Sequence, residues 1–247
     1  MDRLIYTAMS GAKSLLERQA VVANNLANLG TSGYRAETSA FRAIPESGPG
    51  LPTREFVVDS TTGVDFTPGA IQETGRALDV AVQGGGWIAV QASDGSEAYT
   101  RCGSFRVSAE GTLETNTGLP VLSDSGPIAV PPDTSISVGR DGTVSVIPTQ
   151  PPFNNVSVIG RIKLINPPER DLAKGPDGLF RLKGGETADV DDKVALIGGA
   201  LEGSNVNAAE AMVSMISLAR QFEMQMKMLQ NAETDAQHAT QLLSANS

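Results

Sequence analysis

The two ends of this 247-residue chain repeat with the period of a helix, and the middle repeats with the period of a strand. From Ile5 to Leu29 there is no Pro and a single Gly, Gly11. Apolar residues fall at Ile5, Ala8, Ala12, Leu15, Val22, Leu26 and Leu29, with Gln19 as the one polar break. Steps of three and four in alternation form a heptad row, and Gly30 stands where a helix would stop. At the other end, Asn207-Ala-Ala-Glu210 reads as a helix N-cap with a Glu three residues on. A second row follows it at Met212, Met215, Ala219, Phe222, Met226, Leu229, Ala236 and Leu243, interrupted at Glu233 and Thr240.

Between the ends, Leu78, Val80 and Val82 alternate before Gly84-Gly85-Gly86, which leads into Trp87-Ile88-Ala89-Val90. Ile136 and Val138 alternate before Gly139-Arg140-Asp141-Gly142, and Val144 and Val146 resume after it, the pattern of a hairpin. Val156, Val158, Ile162 and Leu164 share one face, and Asp94-Gly95, Glu110-Gly111, Asn116-Thr117-Gly118 and Asp177-Gly178 mark turns between further short strands. The segment holding Pro45, Pro49, Pro52 and Pro68 shows no helical period and reads as an extended connector. The expected fold is therefore α+β. A mostly-β central domain (76–200) is inserted, after a connector (36–75), between an N-terminal helix (1–35) and a return segment with a C-terminal helix (201–247). The two helices are expected to pair as a coiled-coil-like assembly domain.

Neither helical row is wide enough to stand alone in water. The ends must pack on each other, on other chains, or on both. Rows that meet within a subunit leave their flanking faces to neighbours, and repeated heterologous contacts of that kind build filaments. In an isolated monomer the expectation is a stable β core with mobile ends.

Chemistry has little to work with. One His and one Cys leave no disulfide framework, no Cys-based zinc site and little general acid–base machinery. His238 reads as an ordinary helical residue and Cys102 as a strand or turn residue without a helper base. The run Gly84–Gly86 lacks the spacing of a phosphate loop, and Asp189-Val190-Asp191-Asp192 lacks that of a calcium loop. A net charge of −9 with no basic block excludes nucleic acid. No stretch reaches the roughly 18 apolar residues of a membrane span. Lys13, Glu17 and Arg18 interrupt the place where a cleavable signal would carry its apolar run. Asp and Glu are plentiful enough for a glycosidase-type carboxylate pair, but the 4% aromatic content argues against sugar or nucleotide binding. No catalytic residue, cofactor, metal or small-molecule substrate is assigned. With aromatics scarce, the core must be built from small aliphatics.

Several segments together carry a resemblance. They are Asn24-Asn25-Leu26-Ala27-Asn28-Leu29-Gly30-Thr31-Ser32-Gly33-Tyr34-Arg35, Leu78–Trp87, Tyr99–Phe105, Leu201–Val206 and Arg220-Gln221-Phe222-Glu223. Taken in order along nearly the whole chain, they resemble bacterial flagellar rod and hook proteins. Ile5–Met9, Asp177–Arg181 and Phe222–Lys227 are most similar to the proximal-rod members, with the distal-rod members next. Ser32 replaces the usual Pro, and Cys102 stands where Asn is common. The resemblance implies a non-enzymatic subunit of the basal-body rod in the periplasm, exported by the flagellar apparatus without a cleaved signal. Its partners would be copies of itself and other rod proteins, and its terminal helices would form the inner layer of a torque-transmitting tube. The other class in view is a binding module that dimerises through its helices. Under either reading the assembly residues are the two heptad rows together with Asn24, Asn25 and Asn28, whose amides can satisfy backbone groups at a crowded helix end. Gly30 and Gly33 are expected to supply a turn at positive φ.

Overall fold

A computed structural model of the chain describes residues 2–45, 55–149 and 156–245. Helix α1 (Asp2–Ala27) opens the chain and helix α2 (Ala208–Ala245) closes it, with antiparallel strands between them. The α+β class is as expected. The chain divides into two compact units. One comprises Met1–Leu29, Ala36–Asp65 and Val206–Ser247; the other comprises Gly30–Arg35 and Phe66–Asn205.

In the helical unit, α2 begins where the N-cap reading puts it. The Asn207 carboxamide oxygen accepts the N–H groups of Ala209 (3.1 Å) and Glu210 (3.4 Å), two of the donors that a helix start leaves unpaired. The expected connector differs from the structure. Its first part is a hairpin of β1 (Glu37–Pro45) and β2 (Glu55–Val64), with a register shift between Ala40 and Phe41. Pro45 closes β1, a strand end where the missing N–H costs no ladder bond, so it bounds the strand and does not abolish it. Pro49 and Pro52 lie outside the described residues. The connector's last part, Ile71–Glu73, is a strand paired with Ala200–Glu202 in the β unit.

The β unit holds a five-stranded sheet in the order Leu164–Ile165, Trp87–Gln91, Glu97–Thr100, Phe180–Leu182, Leu172–Lys174. A three-stranded sheet of Thr134–Val138, Thr143–Pro148 and Ser157–Arg161 lies in the same unit, along with two-stranded pairs. The Gly139–Gly142 hairpin forms with Ile136 opposite Val146 and Val138 opposite Val144. Its turn is fixed by Asp141, whose carboxylate accepts both the amide (3.1 Å) and the hydroxyl (2.6 Å) of Thr143. Those bonds hold the Asp141 carboxyl below the usual carboxylate range. Asp94 does the same with Ser96, and Asp177 with Arg181 and the Leu179 amide.

The core includes Val80, Val82, Ile88, Val90, Phe105, Leu113, Val121, Ile162, Leu164 and Leu196. Each such side chain contributes about 1.5–3 kcal/mol by burial. Two strand readings differ from the structure. Val80, Ala81 and Val82 are all buried, because the strand Val80–Gln83 is covered on both faces. Val156 and Val158 are exposed while Ile162 and Leu164 are core, because Ser157–Arg161 is an edge strand whose pairing shifts at Val144/Ser145.

The units divide at 29/30, 35/36, 65/66 and 205/206, and buried charge shows why 30–35 and 201–205 go with the β strands. Glu202 is 1% exposed and sits between two guanidinium groups. Arg35 Nη2 lies 2.6 Å from its Oε1, a close ion-pair contact, and Arg101 Nη1 lies 3.0 Å from its Oε2. Both guanidiniums also lie over the ring of Trp87, at 6.0 and 5.3 Å from its centroid, and Arg101 Nη2 donates to the Gly84 carbonyl at 2.7 Å. Two cations on one carboxylate leave excess positive charge, which the π face and the carbonyl oppose. Trp87 in turn packs on Phe66 and Phe180, so three of the chain's eleven aromatics gather where the charges are buried. Residues 30–35 and 201–205 thus belong to the β unit.

Candidate assembly interface

In the helical unit α1 packs against α2 and against the β1–β2 hairpin. The helices run antiparallel: Gln225 of α2 meets Ala8 of α1, while Val22 of α1 shares a groove with Val213 and Leu218 of α2. On α1 the expected row lies inward. Ala8 and Ala12 are buried, Leu15, Val22 and Leu26 are half-buried, and Leu29, past the end of α1, is exposed. The Ile5 and Leu243 side chains lie outside the described residues.

On α2 the inward row is displaced by one residue at alternate steps. Met215, Phe222 and Leu229 point inward as expected, and Ala219 is half-buried. The other inward positions are Ala211, Leu218 and Gln225. Leu218 is the most buried of them, whereas Met212 and Met226 are exposed. Two adjacent heptad rows share every second member, so spacing alone could not choose between them. The choice follows volume: Leu218 supplies a branched aliphatic where Ala219 offers a methyl.

Gln225 makes a polar contact across the seam. Its Nε2 donates to the Ala8 carbonyl at 2.9 Å, and Gly11 leaves the room, since a Cβ there would stand 3.0 Å from that nitrogen. A polar pairing in an apolar seam favours one register of the two helices. Sequence reasoning missed Gln225. Its signal was a Gly in the middle of a helix facing a Gln in a Met-rich one.

The asparagines divide the work at the end of α1. Asn25 grips the first residue of β1 twice: its Nδ2 donates to the Glu37 carbonyl and its Oδ1 accepts the Glu37 amide, both at 2.8 Å. Asn28 Nδ2 donates to the side-chain oxygen of Asn24 (2.8 Å) and to its carbonyl (3.0 Å), closing the last helical turn. Gly33 has the expected positive φ of 70°. Gly30 does not, and nothing lies within 4 Å of a Cβ placed there, so the left-handed turn belongs to Gly33 alone.

The outward faces of the helices carry the larger apolar side chains. Met9 and Leu16, one heptad apart on α1, are half exposed or more, as are Met212, Val213, Ile216, Met224 and Met228 on α2. Beside them a groove of about 420 Å³ has Val22, Val213 and Leu218 in its walls, with polar groups from Arg18, Ser39, Ser214, Ser217 and Gln221. Contiguous exposed apolar side chains are, in general, the composition of protein-contact surfaces. Met suits such a surface because its unbranched side chain adapts to the neighbour.

His238 is exposed on α2, and burial raises the pKa of the Cys102 thiol, disfavouring the reactive thiolate. The Gly84–Gly86 run joins strands of two different sheets, and Asp191 and Asp192 bind the Lys193 amide and Arg161. Among the described residues no group of three or more His, Cys, Asp or Glu could hold a metal, and no helix is long and apolar enough to cross a membrane.

Comparison with known proteins matches three segments to family descriptions. Residues 5–35 match the flagella basal body rod protein family, residues 81–146 the flagellar hook protein FlgE/F/G D1 domain, and residues 197–242 the flagellar basal body rod FlgEFG protein C-terminal region. The flagellar basal-body rod protein FlgF of Escherichia coli K12 is 48% identical, with 99% of each chain covered. That of Salmonella typhimurium LT2 is 45% identical over the same shares. The flagellar basal-body rod protein FlgG of Bacillus subtilis 168 is 30% identical, covering 98% of this chain and 99% of its own. With the helical ends, the inserted β unit and the full-length likeness all in agreement, the chain belongs to the flagellar basal-body rod protein family.

Proposed function

We propose that this chain is a structural subunit of the proximal flagellar rod, assembling through its terminal helices with copies of itself and with other rod proteins. The observation that carries this reading is the outward apolar face of the helix pair. α1 and α2 satisfy each other along one seam and still present Met9, Leu16, Met212, Val213 and Ile216 to solvent. Side chains of that size, exposed on both helices of one pair, suit contact with more than one neighbour, as a helical tube requires. Met226 and the other expected interface residues on the rim of the seam belong to the same surface. The proximal position is favoured by the higher identity to chains named FlgF, 48% and 45%, than to the FlgG chain, 30%. Torque would pass through many small contacts of Met, Ala and Leu. Export through the flagellar apparatus, without a cleaved signal, would deliver the chain to its site.

Ile216→Asp tests the proposal. The side chain is 56% exposed, so the purified monomer should keep its melting temperature within about 2 °C, because surface changes typically stay within about 0.5 kcal/mol. In the flagellated host, basal bodies isolated from the variant strain should lack the rod, and the cells should not swim. Normal swimming in both Ile216→Asp and Met212→Asp strains would overturn the assignment of this face.

A further inference from the structure

The chain passes between the two units four times, at Leu29/Gly30, Arg35/Ala36, Asp65/Phe66 and Asn205/Val206. Within the β unit the segments adjoining these passages, 30–35, 66–70 and 201–205, come together around one residue. The Glu202 carbonyl accepts the Gly33 amide at 2.8 Å, and its carboxylate accepts the Gly69 amide at 2.9 Å while pairing with Arg35 and Arg101. The Asn205 amide donates to the Tyr34 carbonyl (3.4 Å), its Nδ2 donates to the Thr67 carbonyl (3.0 Å), and the Gly203 amide donates to the Ala70 carbonyl (2.8 Å). Gly69 has no room for a side chain, because a Cβ there would stand 2.1 Å from the Gly203 carbonyl oxygen.

We infer that these three segments form a single clasp keyed by Glu202, which opens and closes as one cooperative unit separate from the β core. The attachments of α1, of the hairpin and of α2 to the β unit are then coupled. A buried carboxylate shared by two guanidiniums cannot release one partner by degrees, because the departing charge leaves the others uncompensated in a low-dielectric site. Phe66 anchors on Trp87 and Phe180, and Lys174 holds Tyr34 and the Arg35 carbonyl. The segments are also joined to each other by polar bonds through or beside Glu202, which is itself paired with Ile71 in the ladder of Ala200–Glu202 and Ile71–Glu73. Such a group of mutually dependent polar contacts is a unit of local opening. The inference concerns the chain by itself and stands whether or not the chain serves in a rod.

Amide hydrogen exchange on the full-length protein tests it, with Glu202→Gln removing the charge and keeping the shape. The amides of Gly33, Gly69, Gly203 and Asn205 should exchange at least tenfold faster, all by a similar factor. Those of Val80, Ala89 and Phe105, bonded to the Gly103, Lys163 and Leu78 carbonyls in the core, should stay within about twofold. If Glu202→Gln does not fold, Arg35→Lys serves, since it alters only the N-terminal segment and should still quicken Gly203 and Asn205. Faster exchange at Gly33 alone would overturn the coupling, and so would no change at any of the four. An equal rise at junction and core would make Glu202 an ordinary stabilising residue and would overturn the clasp.

Discussion

Gly33 carries φ of 70°, and a Cβ there would stand 2.3 Å from the Arg101 carbonyl carbon, so both backbone conformation and space forbid a side chain. Gly33→Ala should lower unfolding stability by about 2–4 kcal/mol, whereas Gly30→Ala should be neutral or gain a few tenths, read as urea midpoints at constant slope. A second residue-scale effect lies in Tyr99. Burial is the main cause that pushes its phenol up to about 12, with Glu97 acting in the same direction and the Ala188 amide opposing it. The folded state therefore holds the phenolic proton more tightly than the unfolded chain, whose tyrosine titrates near 10. Its contribution is fully present below about pH 10 and is lost as pH rises from about 10 toward 12. Tyr99→Phe should be less stable at pH 8, because the Ala188 amide loses its acceptor, and should show a flatter loss of stability in alkali. Urea midpoints measured from pH 8 to 11.5 check both statements.

Among the elements, α1 and α2 depend on one another more than either depends on its own propensity. Among its described side chains α1 offers Ala8 and Ala12 as buried and Leu15, Val22 and Leu26 as half-buried, little apolar surface to hold a 26-residue helix without α2 beside it. Deleting Val206–Ser247 should therefore remove more helical signal in far-ultraviolet circular dichroism than the 38 residues of α2 account for, with the β signal retained. Loss of α2's share alone would mean that α1 is held by the hairpin. The heptad period located both helices because it survives any packing partner. It did not choose between the Ala211–Leu218–Gln225 row and the Met212–Ala219–Met226 row, since those differ by volume and neighbour and not by spacing. In the same way the Gly139–Gly142 hairpin was legible from its turn residues. The β1–β2 hairpin was hidden because Pro45 looks alike in a strand end and in a linker.

For the whole molecule, the sequence showed an insertion between two helices but not where it is tied. Arg35, Arg101 and Glu202 each lie in a segment that carries the family likeness, yet no local spacing links a charge at 35 with others at 101 and 202. Only the folded chain makes them neighbours. The expectation of mobile ends assumed that the heptad rows lack partners in the monomer, and the seam between α1 and α2 supplies one. An insert whose entrances and exits are held together at one buried carboxylate has its ends set by a few side chains of its own. Its bulk can then grow, shrink or be exchanged across evolution, or in the laboratory, with little disturbance to the helices that precede and follow it, so long as Arg35, Arg101 and Glu202 are carried along.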